Sequence, residues 1–296
     1  MRKDAFSAYH PLVNFLYFSL VLLFTMFFMH PVSLLISLAS ALSYAARLNG
    51  KKTLRLSLRA LLPLMLFTCL VGAAFQHEGA SILCYLPGGN PLTLESIGYS
   101  AASSLMLCSV IVWFTCYSAV VSSDKFIYLF GRVIPALSLV LSMTLRFVPR
   151  FHRQFLTVSE AQRAMGRDVS RGSVRERIKN AAAILSIMVT WSLENAIETA
   201  DSMKSRGYGL PGRSAFSIYR ITPRDKAALL WLAFCGVYIL AGAAAGCLRW
   251  QYYPTMQGAM SGAALSFQLA YLALCLTPLI LNEKEDRKWK HLRSKT

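Results

Sequence analysis

The chain has 296 residues, 55% of them apolar and only 15% charged, against roughly 25% charged in an ordinary soluble domain. With a mean hydropathy of +0.45, this excludes disorder, a disulfide scaffold and an ordinary soluble enzyme, and points to a polytopic membrane protein. The net charge of +17 signals either nucleic acid or cytoplasmic loops, and the placement of the charges decides.

A membrane-crossing helix needs about 20 mostly apolar residues. Six stretches are candidates: 12–29, 32–46, 60–75, 97–121, 227–247 and 259–281. His10-Pro11 opens the first, and His30-Pro31 separates it from the second. The run from Leu12 lacks a small-residue cleavage site, so no cleavable signal peptide is expected. Arg2 and Lys3 precede the first span. Arg47, Lys51, Lys52, Arg55 and Arg59 fill the gap after the second. The loop 76–96 carries only Glu78 and Glu95, and 248–258 a single Arg249. The tail carries Lys284, Arg287, Lys288, Lys290, Arg293 and Lys295. Basic and non-basic connections alternate, which predicts six spans with both termini in the cytoplasm of a bacterial cell membrane. The charge then belongs to topology, and no nucleic-acid partner is expected.

This divides the chain into transmembrane helices 1–4 (1–121), a cytoplasmic region (122–224), and helices 5–6 with a basic tail (225–296). The expected fold is an all-α integral membrane protein whose cytoplasmic insert holds amphipathic helices. Within the insert, 133–148 is apolar but contains Pro135 and Arg146, with Pro149 following. It reads as a membrane-grazing helix, with a re-entrant segment as the alternative. Phe151, Phe155, Val158 and Ala161/Gln162 recur at helical spacing over 150–166. A turn follows at 170–173, where Ser173 and Glu176 form a capping-box pattern. Ile178, Ala182, Leu185, Val189, Leu193 and Ile197 then mark a long helix over 174–205, about 48 Å if unbroken. Glycines and Pro211 over 207–212 end it. Small residues over 242–246 and 258–262 predict close helix packing.

Both insert helices end with an Arg beside a Gly: Ala164-Met165-Gly166-Arg167-Asp168 and Ser205-Arg206-Gly207-Tyr208-Gly209. A cation there is favoured by the helix dipole, and a guanidinium can fork onto a partner carboxylate. Two such ends suggest a paired docking device, with Asp168 placed to neutralise Arg167 in part.

These residues resemble the transmembrane T component of energy-coupling factor transporters, the EcfT/CbiQ family. Leu145-Arg146-Phe147-Val148-Pro149 resembles the family's RFIP element. The segment from Ser202 to Gly209 resembles its AMxxRGYG motif, and Gly166-Arg167-Asp168 stands where an Ala-Arg-Gly-like motif is found, in altered form. The resemblance implies a coupling subunit of an ABC importer for a micronutrient, a vitamin or a metal ion. It implies two cytoplasmic ATPase subunits docked by Arg167 and Arg206, with Gly166, Asp168, Ser205 and Gly207 shaping the contacts. It also implies a small membrane-embedded substrate-binding S component.

Gly207, Gly209 and Gly212 spell GxGxxG, but a helix precedes them and Pro211 lies inside, so they read as a helix terminator. With no Walker A lysine motif, HExxH or GxSxG in the sequence, neither cofactor nor metal is expected, and the chain reads as a non-enzyme. The alternative is an intramembrane metal-dependent enzyme using Glu194 and Glu198, with Asp201 and His152 to complete the set. Seven cysteines form no CxxC pair and read as small buried hydrophobes, a Cys84–Cys247 disulfide being the alternative. Arg146, inside an apolar helix, is expected to snorkel or to pair with Glu160 or Asp124.

Overall fold

The computed structural model describes residues 4–76, 78–85, 91–131, 134–210, 219–258 and 262–293. They divide into two compact units: one of 1–126 with 219–296, the other 127–218.

In the first unit, α1 (Pro11–Phe27) and α2 (Pro31–Phe75) open alike. Each has Pro at its first position, where no N–H is needed, and His at the N-cap. His10 Nδ1 accepts from the Leu12 N–H at 3.2 Å, and His30 Nδ1 from the Val32 N–H at 3.3 Å. Two helical stretches of α2 meet at Gly50, whose φ of +78° only glycine adopts readily. The basic stretch after the second expected span is therefore helical rather than a loop. Leu, Lys and Arg are good helix formers, and Gly50 alone changes the direction of the chain.

Two short antiparallel strands, β1 (Ile82–Tyr85) and β2 (Pro91–Thr93), lie in the loop before α3 (Leu94–Val120). An all-α reading did not anticipate them, since four and three residues are too short for a periodicity to show. α4 (Ser123–Gly131) follows α3. α7 (Pro223–Ala244) is opened by a Thr222/Asp225 capping box. α8 (Gly262–Arg293) extends about three turns beyond the span expected at 259–281, because Glu, Lys and Arg continue a helix as well as leucine does. Among the described residues, four helices are long and apolar enough to cross a membrane: Pro31–Gly50, Leu94–Val120, Pro223–Ala244 and Gly262–Lys288. Pro11–Phe27 and Arg59–Phe75 are shorter apolar helices.

Aromatic side chains fill the core, with Phe6, Tyr17, Phe18, Tyr44, Trp113 and Tyr271 all buried. Their polar tips are satisfied. Trp113 Nε1 donates to Ser37 Oγ at 3.0 Å, and Tyr17 Oη to the Cys275 carbonyl at 3.0 Å. Thr25 Oγ1 is 2.8 Å from Ser37 Oγ and 2.9 Å from Tyr271 Oη. Ion pairs Arg47–Asp286 (2.5 Å) and Arg224–Glu285 (3.0 Å) tie α2 and α7 to the charged end of α8. Cys84 and Cys247 are free thiols, so the conceivable disulfide is not formed.

The expectation of close packing at the small residues holds at Gly242. A Cβ there would lie 2.5 Å from the Phe267 ring of α8. Gly258 sits in a loop instead, where a Cβ would strike the Trp250 indole at 1.9 Å, and Gly262 meets nothing within 4 Å. Gly242→Ala is expected to cost about 1–3 kcal/mol by forcing α7 and α8 apart. Thermal unfolding of the full chain in mild detergent checks this, and an unchanged midpoint would contradict the packing.

Candidate functional site

The second unit is built on two long helices, α5 (Pro135–Ala164) and α6 (Val174–Ser205). Sequence spacing predicted a break at Pro149, but α5 runs through it. Proline removes only one hydrogen bond from the ladder, and the amphipathic stretches on either side keep the helix going. α6 has the expected bounds, and Ser173 and Glu176 form the expected capping box.

On α6 the contact is made by residues that its periodic stripe did not mark, whereas on α5 it uses Phe151 and Gln162, which the spacing over 150–166 did mark. Ile184 and Met188 of α6 are buried, as is Gln162 of α5. Phe151 meets Trp191 edge-on at 5.3 Å, and the Arg150 guanidinium lies 5.6 Å over the same indole. Trp191, without a role at the level of sequence, is thus the aromatic link between α5 and α6. Ile178, Leu185, Val189, Leu193 and Ile197 are exposed, as are Val140, Val148, Phe155 and Leu156 of α5. The unit therefore presents apolar side chains outward along both helices.

Both helices end in the same hydrogen-bonded turn. At the end of α5, the Gly166 N–H donates to the Arg163 carbonyl at 3.0 Å and the Arg167 N–H to the Gln162 carbonyl at 2.9 Å. At the end of α6, the Gly207 N–H donates to the Lys204 carbonyl at 2.9 Å and the Tyr208 N–H to the Met203 carbonyl at 3.0 Å. The two glycines have φ of +77° and +73°. This is the Schellman closure, with glycine at C′. Ser205 Oγ donates to the Ser202 carbonyl, satisfying one more terminal acceptor.

The turn aligns the two ends residue for residue, and the two arginines do not coincide. Arg206 is the C-cap of α6, before its glycine, whereas Arg167 follows the glycine of α5. Met165 holds the position equivalent to Arg206, and Tyr208 the position equivalent to Arg167. Both arginines are exposed and, among the described residues, form no ion pair. Asp168 does not neutralise Arg167. It pairs with Arg163 at 3.3 Å and Arg171 at 4.0 Å, and accepts from the Ser170 N–H and Oγ at 2.9 and 2.8 Å. The Ser170 hydrogen bonds, then the two arginines, hold its carboxyl below the usual carboxylate range. Glu176 is likewise lowered, by the Ser173 N–H and hydroxyl. Both acids are engaged within the turn. The adjoining hollow of about 710 Å³, lined by Arg163, Arg167, Arg171 and Lys179 beside them, presents a surplus of positive charge.

Glu194, Glu198, Asp201 and His152 are all exposed. Among the described residues, no group of three or more His, Cys, Asp or Glu side chains could hold a metal ion. Arg146 is exposed and makes no ion pair with Glu160 among the described residues. Gly209 has φ of +92°, while Pro211 and Gly212 lie outside the described residues.

The model of the CbiQ family, described as cobalt transport protein, matches residues 7–218, which take in both helix ends. The chain belongs to this family. Several curated CbiQ-like relatives are named energy-coupling factor transporter transmembrane protein EcfT. That of Lactobacillus helveticus is 37% identical over 107 residues, 36% of this chain and 38% of the relative. That of Exiguobacterium sibiricum is 26% identical over 212 residues, 67% of this chain and 80% of the relative. A Bifidobacterium longum protein described as a candidate ABC transporter ATP-binding protein is 27% identical over 239 residues, 75% of this chain and 30% of that protein. The chain spans about two fifths of the Lactobacillus helveticus relative and of its Lacticaseibacillus paracasei counterpart.

Proposed function

We propose that the chain is the transmembrane coupling subunit of an energy-coupling factor importer in a bacterial cell membrane. In this reading it joins two cytoplasmic ABC-type ATPase subunits to a small membrane-embedded S component and serves uptake of a micronutrient, a vitamin or a metal ion. It catalyses nothing itself; ATP is hydrolysed by the partners. The observation that carries the reading is the pair of exposed, unpaired arginines at the closed ends of α5 and α6, in a family whose relatives carry the EcfT name.

The membrane part is read as six spans with both termini cytoplasmic, the two shorter apolar helices joining the four long ones. Pro11–Phe27 has 17 residues, about 26 Å at 1.5 Å each, close to the roughly 30 Å of a bilayer core. The cytoplasmic region at 122–224 then carries the coupling helices. Arg167 engages one ATPase and Arg206 the other, while Gly166 and Gly207 turn the chain away and Asp168 and Ser205 brace the two ends. A long helix with an oriented cation at its tip transmits a displacement, because the guanidinium fixes direction as well as contact. The outward apolar residues of both helices offer the S component a surface on which to shift. Such a shift requires different contacts in the two ATPase states.

The test is a mild-detergent purification of the tagged full chain from its native host beside Arg206→Ala. ABC-type ATPase identified by mass spectrometry is expected with the wild type and reduced to about half in the variant, as the partner held by Arg206 is lost and the one held by Arg167 stays. Undiminished ATPase on Arg206→Ala would overturn the assignment.

A further inference from the structure

We infer that the β1–β2 hairpin is a lipid-binding element, with β1 pressed into the outer leaflet at the boundary between headgroups and acyl chains. This goes beyond the coupling role and rests only on the six-span placement of the helices. Successive side chains of a strand leave on opposite faces, and an antiparallel pair in water keeps its solvated face polar. β1 does not. Ile82, Leu83 and Tyr85 are 52%, 56% and 67% exposed, and Cys84 among them is exposed too. Apolar side chains therefore leave the strand on both faces, and none is covered. From 79 to 94 the sequence holds no Asp, Glu, Lys or Arg. The helices on either side carry the same character up to the hairpin. Leu70 and Phe75 at the end of α2 are 63% and 79% exposed, and Leu94 at the start of α3 is 48% exposed. The apolar surface that these helices offer to lipid thus continues into β1.

The base of the hairpin is polar and internally satisfied. Buried Glu95 accepts from the Ser81 N–H at 3.1 Å, and Thr93 Oγ1 donates to the Glu78 carbonyl at 2.7 Å. The Leu94 N–H donates to the Ser81 carbonyl at 3.0 Å, and the Ala80 N–H to the Pro254 carbonyl at 3.2 Å. These bonds hold β1 at a set height on the end of the bundle. Its depth follows from its free edge. Among the described residues β1 pairs with β2 alone, and hydrocarbon would leave the backbone groups of the other edge without partners. The side chains therefore reach the acyl chains while the backbone stays among headgroups and their water. Tyr85, apolar in body and polar at its tip, suits that boundary. Lipid fits the strand better than a strand of another chain. The ladder is irregular between Ile82 and Cys84, and a bulge of that kind turns an edge away from further pairing.

The experiment reads depth on the full chain reconstituted in vesicles of phosphatidylcholine and phosphatidylglycerol. An environment-sensitive maleimide fluorophore is attached to Cys84, the exposed one of the seven cysteines, and the signal of Cys84→Ser is subtracted. Quenching by lipid with a nitroxide near the glycerol backbone is expected to be at least twice that by lipid with a nitroxide near the chain end. It is expected to be at least three times that by iodide present on both sides of the membrane. Phe234→Cys in the Cys84→Ser background supplies the control. Phe234 is 67% exposed in the middle of α7, so the chain-end nitroxide should quench its probe most. A Cys84 probe quenched mainly by iodide would place the hairpin in water and overturn the proposal. One that no quencher reaches would show β1 covered by protein, and one quenched most by the chain-end nitroxide would put its backbone in hydrocarbon; either overturns it too. A Phe234→Cys probe untouched by both lipid nitroxides would overturn the membrane placement itself.

Discussion

Asn282→Leu is expected to lower the unfolding free energy of the protein by about 3–5 kcal/mol, the largest effect of any single substitution considered. Asn282 of α8 is 1% exposed. Its side-chain carbonyl accepts from the Ala5 N–H at 2.7 Å and from the Phe6 N–H at 3.2 Å, and its amide donates to the Asp4 carboxylate. Leucine has the same branching and is larger, so no cavity opens. It strands two backbone donors and one carboxylate acceptor, each costing about 1–3 kcal/mol when left without a partner. Asp4 keeps Tyr44 Oη at 3.0 Å and the Ser7 N–H at 3.0 Å, which sets the upper limit. The loss propagates to Phe6, fully buried against Tyr17 at 5.2 Å. Asn282→Asp separates the causes. It preserves the acceptor for the Ala5 and Phe6 N–H groups but replaces the donor to Asp4 with a second carboxylate, so the loss it shows belongs to the Asp4 contact alone. Thermal unfolding of both variants in detergent checks this. A midpoint for Asn282→Leu within a degree or two of the wild type would show that the N-terminal segment does not depend on α8.

How much of this was legible in the sequence depends on how local each cause is. The α6 bounds and the Ser173/Glu176 box were readable because capping acts over three residues and the glycines past Ser205 stop a helix on their own. Pro149 misled for the same local reason. A proline signals a break by its own chemistry, and only the flanking amphipathic stretches show that the helix continues. Gly50 was overlooked in the reverse sense: a basic gap reads as a loop, although lysine, arginine and leucine favour helix. Trp191 carried no periodic signal, since its role is a contact with Arg150 and Phe151 of the preceding helix. The non-equivalence of Arg167 and Arg206 was hidden because both stand next to a glycine. Which side of the glycine each occupies becomes meaningful only once the Schellman hydrogen bonds define C-cap, C′ and C″. The Asn282–Asp4 link joins residues 278 apart, and nothing in a single sequence announces a contact of that separation.

Acidification from pH 7.5 to pH 5 is expected to destabilise the protein by about 2–3 kcal/mol, and His10→Asn/His30→Asn to abolish most of that dependence. Both histidines cap their helices through Nδ1 as an acceptor, which only the neutral ring provides. Burial lowers the His10 pKa, opposed in part by the nearby Asp225 charge, and burial alone lowers that of His30. In the unfolded chain each takes up a proton near pH 6.5; in the folded protein each does so only at lower pH. The stability of the neutral caps is therefore fully present above pH 6.5, and it is lost as the pH falls from 6.5 through the folded values. Protonated Nδ1 would turn a donor towards the Leu12 and Val32 N–H groups and remove two caps worth roughly 1 kcal/mol each. His30 Nδ1 also lies 3.0 Å from Gln268 Nε2. Asparagine caps a helix as well as histidine does here and does not titrate. The lowered carboxylates of Asp168 and Glu176 protonate below the chosen range and do not contaminate it. Unfolding midpoints of the wild type and the double variant across this range decide the matter. Parallel curves would assign the acid sensitivity to other groups; a flattened curve in the variant would assign it to these two caps.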